Sequence, residues 1–216
     1  MTRARQAAGW IAEALATGNP LAELPPEIAP RRREEGERVA LLALHSLGIV
    51  PCGLRLAGAI AGPMVEARML PNGATAAGLR HPVVTAALIG VLAEALEPEG
   101  DAPPRLSALH PALDIADHRF TRVPLGAAQR AADLGGLGFV VAGAGGPPDA
   151  AFTPDGAPFD PHARFAAAAS AARRMGGLPR GALLVLAGLS APLAADAAGR
   201  FACDFGALGR VGARIN

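Results

Sequence analysis

The sequence contains no lysine and no tyrosine, so all 20 basic residues are arginine. Without these side chains the protein cannot form a Schiff base at a lysine, and it cannot use a lysine base or a tyrosine acid. Cysteine is scarce as well. Cys52 and Cys203 fit small buried apolar residues better than a disulfide framework or a metal cluster.

A strong net charge and a long hydrophobic run are also lacking. The formal net charge is +1, which does not indicate a nucleic-acid partner. The longest apolar stretch, 182–195, is interrupted by Ser190 and Pro192 and is too short to span a bilayer. The N-terminal stretch includes Glu13 and no cleavage site, so no signal peptide is predicted. We therefore expect a soluble, cytoplasmic protein without a membrane partner.

What the sequence does have is apolar material for a core, since 51% of its 216 residues are hydrophobic. Apolar residues at helical spacing predict helices over 3–16 and 34–47. We therefore divide the chain into a helical N-terminal segment, 1–48, and a β-rich domain, 49–216.

Further elements follow from the pattern of the β-rich domain. Asp160 before Pro161 predicts the start of a helix that ends at Arg174. The segment 81–92 is predicted to be an apolar strand that extends into a helix through Ala93 and Leu96. The other predictions are strands at 53–58, 139–142, 183–186, 201–205 and 211–215, a helix at 127–134, and connections at 62–73 and 143–160.

Two polar residues leave alternatives open. Arg55 alternates with Leu54 and Leu56, which favours an arginine on a solvent face because arginine is seldom buried unpaired. Ser190 lies in a turn of small residues that lacks the Gly-x-Ser-x-Gly nucleophile elbow. A hydroxyl that bonds the backbone is favoured there, and a ligand pocket at this strand end is the alternative.

Three segments carry a resemblance to a known family. They are the turn Gly188-Leu189-Ser190-Ala191-Pro192, the closing segment Asp204-Phe205-Gly206-Ala207-Leu208-Gly209-Arg210-Val211, and Pro111-Ala112-Leu113-Asp114-Ile115-Ala116-Asp117-His118-Arg119. Together they resemble the 2-keto-4-pentenoate hydratase family, within the fumarylacetoacetate hydrolase superfamily. The resemblance covers about 38–215 with deletions. It implies an α+β fold, with rolled and mostly antiparallel β-structure flanked by helices.

The resemblance also implies a site and shows where this chain departs from it. Thr85 and Ala87 stand where the family has two metal-binding glutamates, and Asp114 stands at the third ligand. The family's metal is Mg²⁺ or Mn²⁺; with two ligand positions lost, no cofactor is firmly expected here. Arg55 replaces the family's lysine, and arginine can hold a carboxylate but cannot act as a base.

The remaining roles are implied by the same matches. Glu66 matches one of the family's acidic residues, so Asp114 or Glu66 is the expected proton carrier. Gly188 and Ser190 are expected to contact substrate together with Arg55. For Asp117 and Arg119, a structural ion pair that fixes the strand end is the favoured interpretation.

Two functions remain open at this stage. One is a divergent hydro-lyase or decarboxylase that acts on a small, enolisable 2-oxo acid without a metal. The other is a non-catalytic family member that binds such an acid or assembles with an active paralogue. A homo-oligomer or a complex with a paralogue is expected in either case, as the resemblance implies.

Overall fold

A computed structural model describes residues 2–122, 125–150 and 160–216. Its helices are α1 (Arg3–Thr17), α2 (Arg33–Ser46), α3 (Ala127–Ala132) and α4 (Pro161–Arg174). Its strands are β1 (Gly53–Ala57), β2 (Ile60–Met64), β3 (Met69–Pro71), β4 (Thr75–Ala76), β5 (Val83–Leu92), β6 (Leu106–Ala116), β7 (Leu137–Ala142), β8 (Leu183–Ala187), β9 (Arg200–Asp204) and β10 (Arg210–Ile215). Short 3₁₀ turns lie at Glu66–Arg68 and Gly206–Leu208.

The helix ends follow local chemistry that is visible in the sequence. At the start of α4 the Asp160 carboxylate accepts the backbone N–H of His162 at 2.9 Å, and Pro161 occupies the first turn. At the end of α1, Gly18 adopts the left-handed conformation with φ of 71° and donates its N–H to the carbonyl of Ala14. Both predicted helix boundaries are confirmed to within a residue or two.

The described strands form two sheets. The larger has seven strands in the order β2-β1-β8-β5-β6-β7-β3, and the smaller has the order β4-β10-β9. In the larger sheet only the β1–β8 and β3–β7 pairs are parallel, and the β1–β2, β5–β8, β5–β6 and β6–β7 pairs are antiparallel. This curled, mostly antiparallel sheet with flanking helices confirms the predicted α+β fold class.

The seven-stranded sheet is buried on both faces. One face packs on α2 through a cluster that includes Leu44, Ala87 and Val185, and α3 contacts the same sheet at β2. The opposite face packs on α4 and the smaller sheet, through residues such as Leu88 and Phe165. Since both faces of β5 are covered, the strand is apolar at nearly every position instead of alternating.

The N-terminal helices form a further cluster with a residue from outside the predicted helical segment. Ile11 of α1 and Val39 of α2 pack in one buried group with Phe120. The division of the chain at residue 48 stays a prediction. None of the helices in the described ranges is both long and apolar enough to cross a bilayer.

Several local predictions need correction. The strand β5 ends at Leu92 with no helix after it, because Ala93 donates its N–H to the carbonyl of Arg105 and Leu96 bridges to Leu178. The predicted connection 62–73 contains most of β2 and all of β3, which are too short to show a period. In the predicted connection 143–160, residues 151–159 lie outside the described residues.

Both cysteines lie in apolar surroundings. Burial raises the pKa of the Cys52 thiol above its ordinary value, which opposes formation of a reactive thiolate. Cys203 is buried on β9. The positions agree with the predicted role as small apolar residues.

Candidate functional site

Arg55 lies at the middle of β1 and is buried, with only 2% of its surface exposed. Its neighbours in the sheet are Gly62 on β2 and Val185 on β8. The prediction of an arginine on a solvent face is wrong, because α2 and α3 cover the face of the sheet to which Val185 belongs. A guanidinium in such a place needs a partner.

That partner is Asp114, on β6 and 1% exposed. The Nε and Nη2 atoms of Arg55 each donate to one carboxylate oxygen of Asp114 at 2.6 Å. Nη1 of Arg55 donates to the carbonyl oxygen of Gly135, also at 2.6 Å. The pair is bidentate, the strongest geometry available to an arginine and a carboxylate.

The curl of the sheet is what brings the two residues together. In the strand order, β8 and β5 lie between β1 and β6. In a flat sheet three strand spacings would separate Arg55 from Asp114 by about 14 Å, which is beyond direct contact. The distance of 2.6 Å therefore depends on tertiary structure and not on the sequence near either residue.

The two predicted replacements for the glutamates lie beside this pair. Thr85 is the direct cross-strand neighbour of Asp114, and Ala87 is the neighbour of Ala112, so all four share one face of the sheet. The hydroxyl oxygen of Thr85 accepts the N–H of Gly188 at 3.1 Å. Thr85 thus ties β5 to the turn after β8.

The donor atoms at this place do not fit a divalent metal ion. Mg²⁺ and Mn²⁺ require several oxygen ligands, usually carboxylates among them. Asp114 is the only carboxylate of the group, and both its oxygens accept from Arg55. Throughout the described ranges, no set of three His, Cys, Asp or Glu side chains is placed to hold a metal.

The turn after β8 has a structural role. The Ser190 hydroxyl oxygen accepts the N–H of Ala86 at 2.9 Å and donates to the carbonyl of Ala191 at 2.7 Å. Gly188 has φ of 69°, a conformation that favours glycine. The turn is therefore held against β5. The Ser190 hydroxyl bonds the backbone, which is the role that the sequence favoured. Substrate contact by Gly188 and Ser190 stays a prediction.

Glu66 is exposed to solvent, unlike the buried pair of Arg55 and Asp114. It begins the exposed 3₁₀ turn after β2, whereas Arg55 and Asp114 lie in the interior. The structure thus brings together Arg55, Asp114 and Thr85. Proton transfer by Glu66 stays a prediction.

A second buried charge cluster corrects the predicted ion pair of Asp117 with Arg119. The guanidinium of Arg119 bonds the carboxylate of Asp133, which is fully buried. Asp117 instead accepts the backbone N–H groups of Arg80, at 3.1 Å, and His81, at 2.7 Å. Because Asp133 lies 14 residues from Arg119, no local pattern identified it as the partner.

Sequence reasoning also missed the backbone that completes the Arg55 site. The carbonyl of Gly135 accepts from Arg55, and Gly135 and Gly136 have φ of 66° and 77°. A Cβ on Gly62 would lie 2.1 Å from the carbonyl oxygen of Leu134, so this turn packs directly on β2. In the sequence, the glycine pair at 135–136 was the feature that could have indicated this turn.

Comparison with known proteins gives matches in structure only. No protein-family model matches the chain, and no curated protein matches it. The structure of 4-oxalocrotonate decarboxylase from Pseudomonas putida G7, complexed with magnesium and adipate, is similar with a TM-score of 0.81 and 17% identity, over 100% of this chain and 99% of that chain. The same enzyme complexed with calcium and acetate gives 0.79 and 18% over the same shares.

The likeness shows that this chain has the fold of that decarboxylase. At 17% and 18% identity it shows the fold alone, so the resemblance to the fumarylacetoacetate hydrolase superfamily stays a prediction. The narrower assignment to the hydratase family stays a prediction.

Proposed function

We propose that this protein binds a small 2-oxo acid at the Arg55–Asp114 site and acts on it without a divalent cation. One observation carries the proposal: the guanidinium of Arg55 is a permanent, buried positive charge, fixed by Asp114 and Gly135. Its partner Asp114 lies directly opposite Thr85, a position at which the resemblance places a metal-binding glutamate.

The chemistry that a fixed guanidinium can support is stabilisation of an enolate. Loss of carbon dioxide from a carbon conjugated with the 2-oxo group leaves the electron pair of the broken C–C bond as negative charge on the keto oxygen. Transfer of a proton from such a carbon to Glu66, the proposed proton carrier, leaves the same charge. A preorganised cation near that oxygen lowers the barrier. Arginine has five N–H donors, and Arg55 donates three of them to Asp114 and Gly135. Its two remaining N–H groups are the proposed contacts.

The solved structures add support for a carboxylate ligand. The similar decarboxylase was solved with adipate in one structure and acetate in another. Both ligands present carboxylate groups, which a guanidinium holds well. Decarboxylation of a 2-oxo acid, or hydration of its enol form, is therefore the proposed reaction class.

A second candidate is a non-catalytic protein that binds a 2-oxo acid or assembles with an active paralogue. The observation that favours it is the saturation of Asp114: both its oxygens accept from Arg55 at 2.6 Å. A carboxylate held in this way cannot take up a proton unless the pair separates. In this case the buried pair stabilises the fold of a binding or assembly subunit.

The test uses the purified full chain and 2-hydroxypenta-2,4-dienoate. Turnover that persists without Mg²⁺ and in the presence of EDTA supports the first candidate. Turnover that requires Mg²⁺ contradicts the metal-free proposal. Calorimetry with pyruvate and oxalate then separates the two candidates, because binding without turnover supports the second.

The site is tested with the double variant Arg55→Met/Asp114→Leu, which removes both charges, so that neither charge is left buried without its partner. It is compared with Arg105→Met, an exposed arginine that pairs with Glu94 on the surface. We expect oxalate binding to be lost only in the double variant. Unchanged binding in that variant, with the fold verified by circular dichroism, would overturn the first candidate and leave the second, in which the pair only stabilises the fold.

A further inference from the structure

The smaller sheet carries a cavity of about 430 Å³, and Arg55 is not among the residues that line it. Alternation along β10 places Arg210, Gly212 and Arg214 on one face, and Val211 and Ala213 are buried beneath. Across the β9–β10 pair, Gly212 lies opposite Ala202. These two residues supply almost no side chain, so the floor of the cavity is mostly backbone.

The walls of this cavity are rich in arginine. Arg200, Arg210 and Arg214 border it, with Thr75 on β4. Arg214 lies directly opposite Arg200 in the sheet register. Like charges in directly opposite positions of an antiparallel pair destabilise the sheet. Asp196 lowers that penalty at Arg200, and an anion between the two arginines would lower it further.

Of the three arginines, Arg200 forms an ion pair, whereas Arg210 and Arg214 do not form one with any described residue. Arg200 Nε lies 2.9 Å from the carboxylate of Asp196, and the backbone N–H of Arg200 helps to lower the pKa of that carboxyl. The side chains of Arg210 and Arg214 make no hydrogen bond or ion pair with any residue the structure describes. Asp204 lies directly opposite Arg210 on the same face of the sheet but forms no ion pair with it. Two guanidinium groups around the cavity, those of Arg210 and Arg214, therefore keep their donors for a ligand.

We propose that this cavity binds a small organic dianion, such as a dicarboxylate or a phosphate monoester. The volume of about 430 Å³ lies at the lower end of the range for small-molecule sites. Guanidinium groups bind carboxylate and phosphate oxygens in a bidentate fork, and the two guanidinium groups with unused donors fit a ligand with two anionic ends. The site is separate from the proposed 2-oxo acid site and does not depend on it.

The experiment is calorimetric titration of the full chain with succinate and, separately, with inorganic phosphate, at an ionic strength of about 20 mM to limit screening. We expect saturable binding of at least one of the two probes, weakened by added salt. Preference for one probe identifies the class of dianion. A lack of binding by both probes would overturn the proposal.

Three variants locate the binding. Arg210→Gln and Arg214→Gln should each weaken the probe by about tenfold or more, an effect of about 1.4 kcal/mol. Gly212→Val keeps every charge and fills the floor, and the nearest atom to a Cβ there, the carbonyl oxygen of Phe201, lies at 3.4 Å, so the fold should tolerate it. It should abolish binding. Arg164→Gln, on the exposed surface of α4, is the matched control and should bind like the parent.

Two outcomes would contradict this location. If Arg164→Gln weakened binding of the probe equally, the probe would be responding only to the overall charge of the protein. Binding that survives Gly212→Val but disappears in Arg55→Met/Asp114→Leu would assign the probe to the 2-oxo acid site. A glutamate-rich peptide that binds while both small probes fail would show that the arginines dock a protein partner instead.

Discussion

The guanidinium of Arg55 and the carboxylate of Asp114 each lose their water on folding. Desolvation of two charges is expensive, and only good geometry with further hydrogen bonds offsets it. Here both oxygens of Asp114 and three nitrogens of Arg55 have partners. The pair is therefore well compensated as a unit, and the removal of one member leaves a buried charge alone.

A double-mutant cycle at this pair tests that conclusion. Asp114→Leu alone should reduce the free energy of unfolding by about 3–5 kcal/mol, since it strands the Arg55 guanidinium. The double variant Arg55→Met/Asp114→Leu should recover most of that loss. Urea denaturation of the parent, both single variants and the double variant gives the coupling energy. Additive single effects would contradict the structure at this point.

At the scale of elements, close contacts between helices and strands decide how the site is enclosed. Gly36 of α2 lies against α3, where a Cβ would be 2.2 Å from the carbonyl oxygen of Ala128. This contact holds α3 near the turn at Gly135 that bonds Arg55. A side chain at residue 36 would push the helices apart.

Gly36→Ala should therefore destabilise the protein by about 1–3 kcal/mol through overpacking. The matched control is Gly9→Ala on α1, where the added Cβ would meet no atom within 4 Å from the described residues beyond its own turn of helix. Alanine is the better helix former, so Gly9→Ala should stabilise by about 0.5–1 kcal/mol. Thermal and urea unfolding measure both changes. Equal effects from the two substitutions would argue against tight α2–α3 packing.

For the molecule as a whole, the lack of a fitting donor set predicts the response to metal ions. A ligand that binds only the folded state raises its stability by an amount that grows with concentration. About 10 mM Mg²⁺ or Mn²⁺ should therefore shift Tm by less than about 1 °C, and EDTA should leave Tm unchanged. Differential scanning calorimetry of the full chain makes the measurement.

The control for that measurement is sodium chloride at matched ionic strength, which separates screening from specific binding. A rise in Tm with Mg²⁺ that sodium chloride does not reproduce would contradict the conclusion that Thr85 and Ala87 leave the site without enough ligands. The same outcome would revive a metal-assisted reaction.

Much of the element pattern was predictable because it depends on local rules. Helical spacing and capping by Asp160 located α1, α2 and α4, and apolar runs located β5 and β8. The segments that sequence reasoning missed, β2, β3 and β4, are short and owe their strand geometry to pairing with β1, β7 and β10. Such pairing is non-local, so no period in the sequence reports it.

The sequence by itself determined which chemical groups the protein can use: arginine without lysine or tyrosine, and one carboxylate where the resemblance implies three. Tertiary structure decided what those groups face. Curling of the sheet joined Arg55 to Asp114 across two intervening strands, and burial of both faces excluded water from the pair. The reason is physical: side-chain identity is fixed by the chain, but desolvation and pairing arise only when distant strands pack.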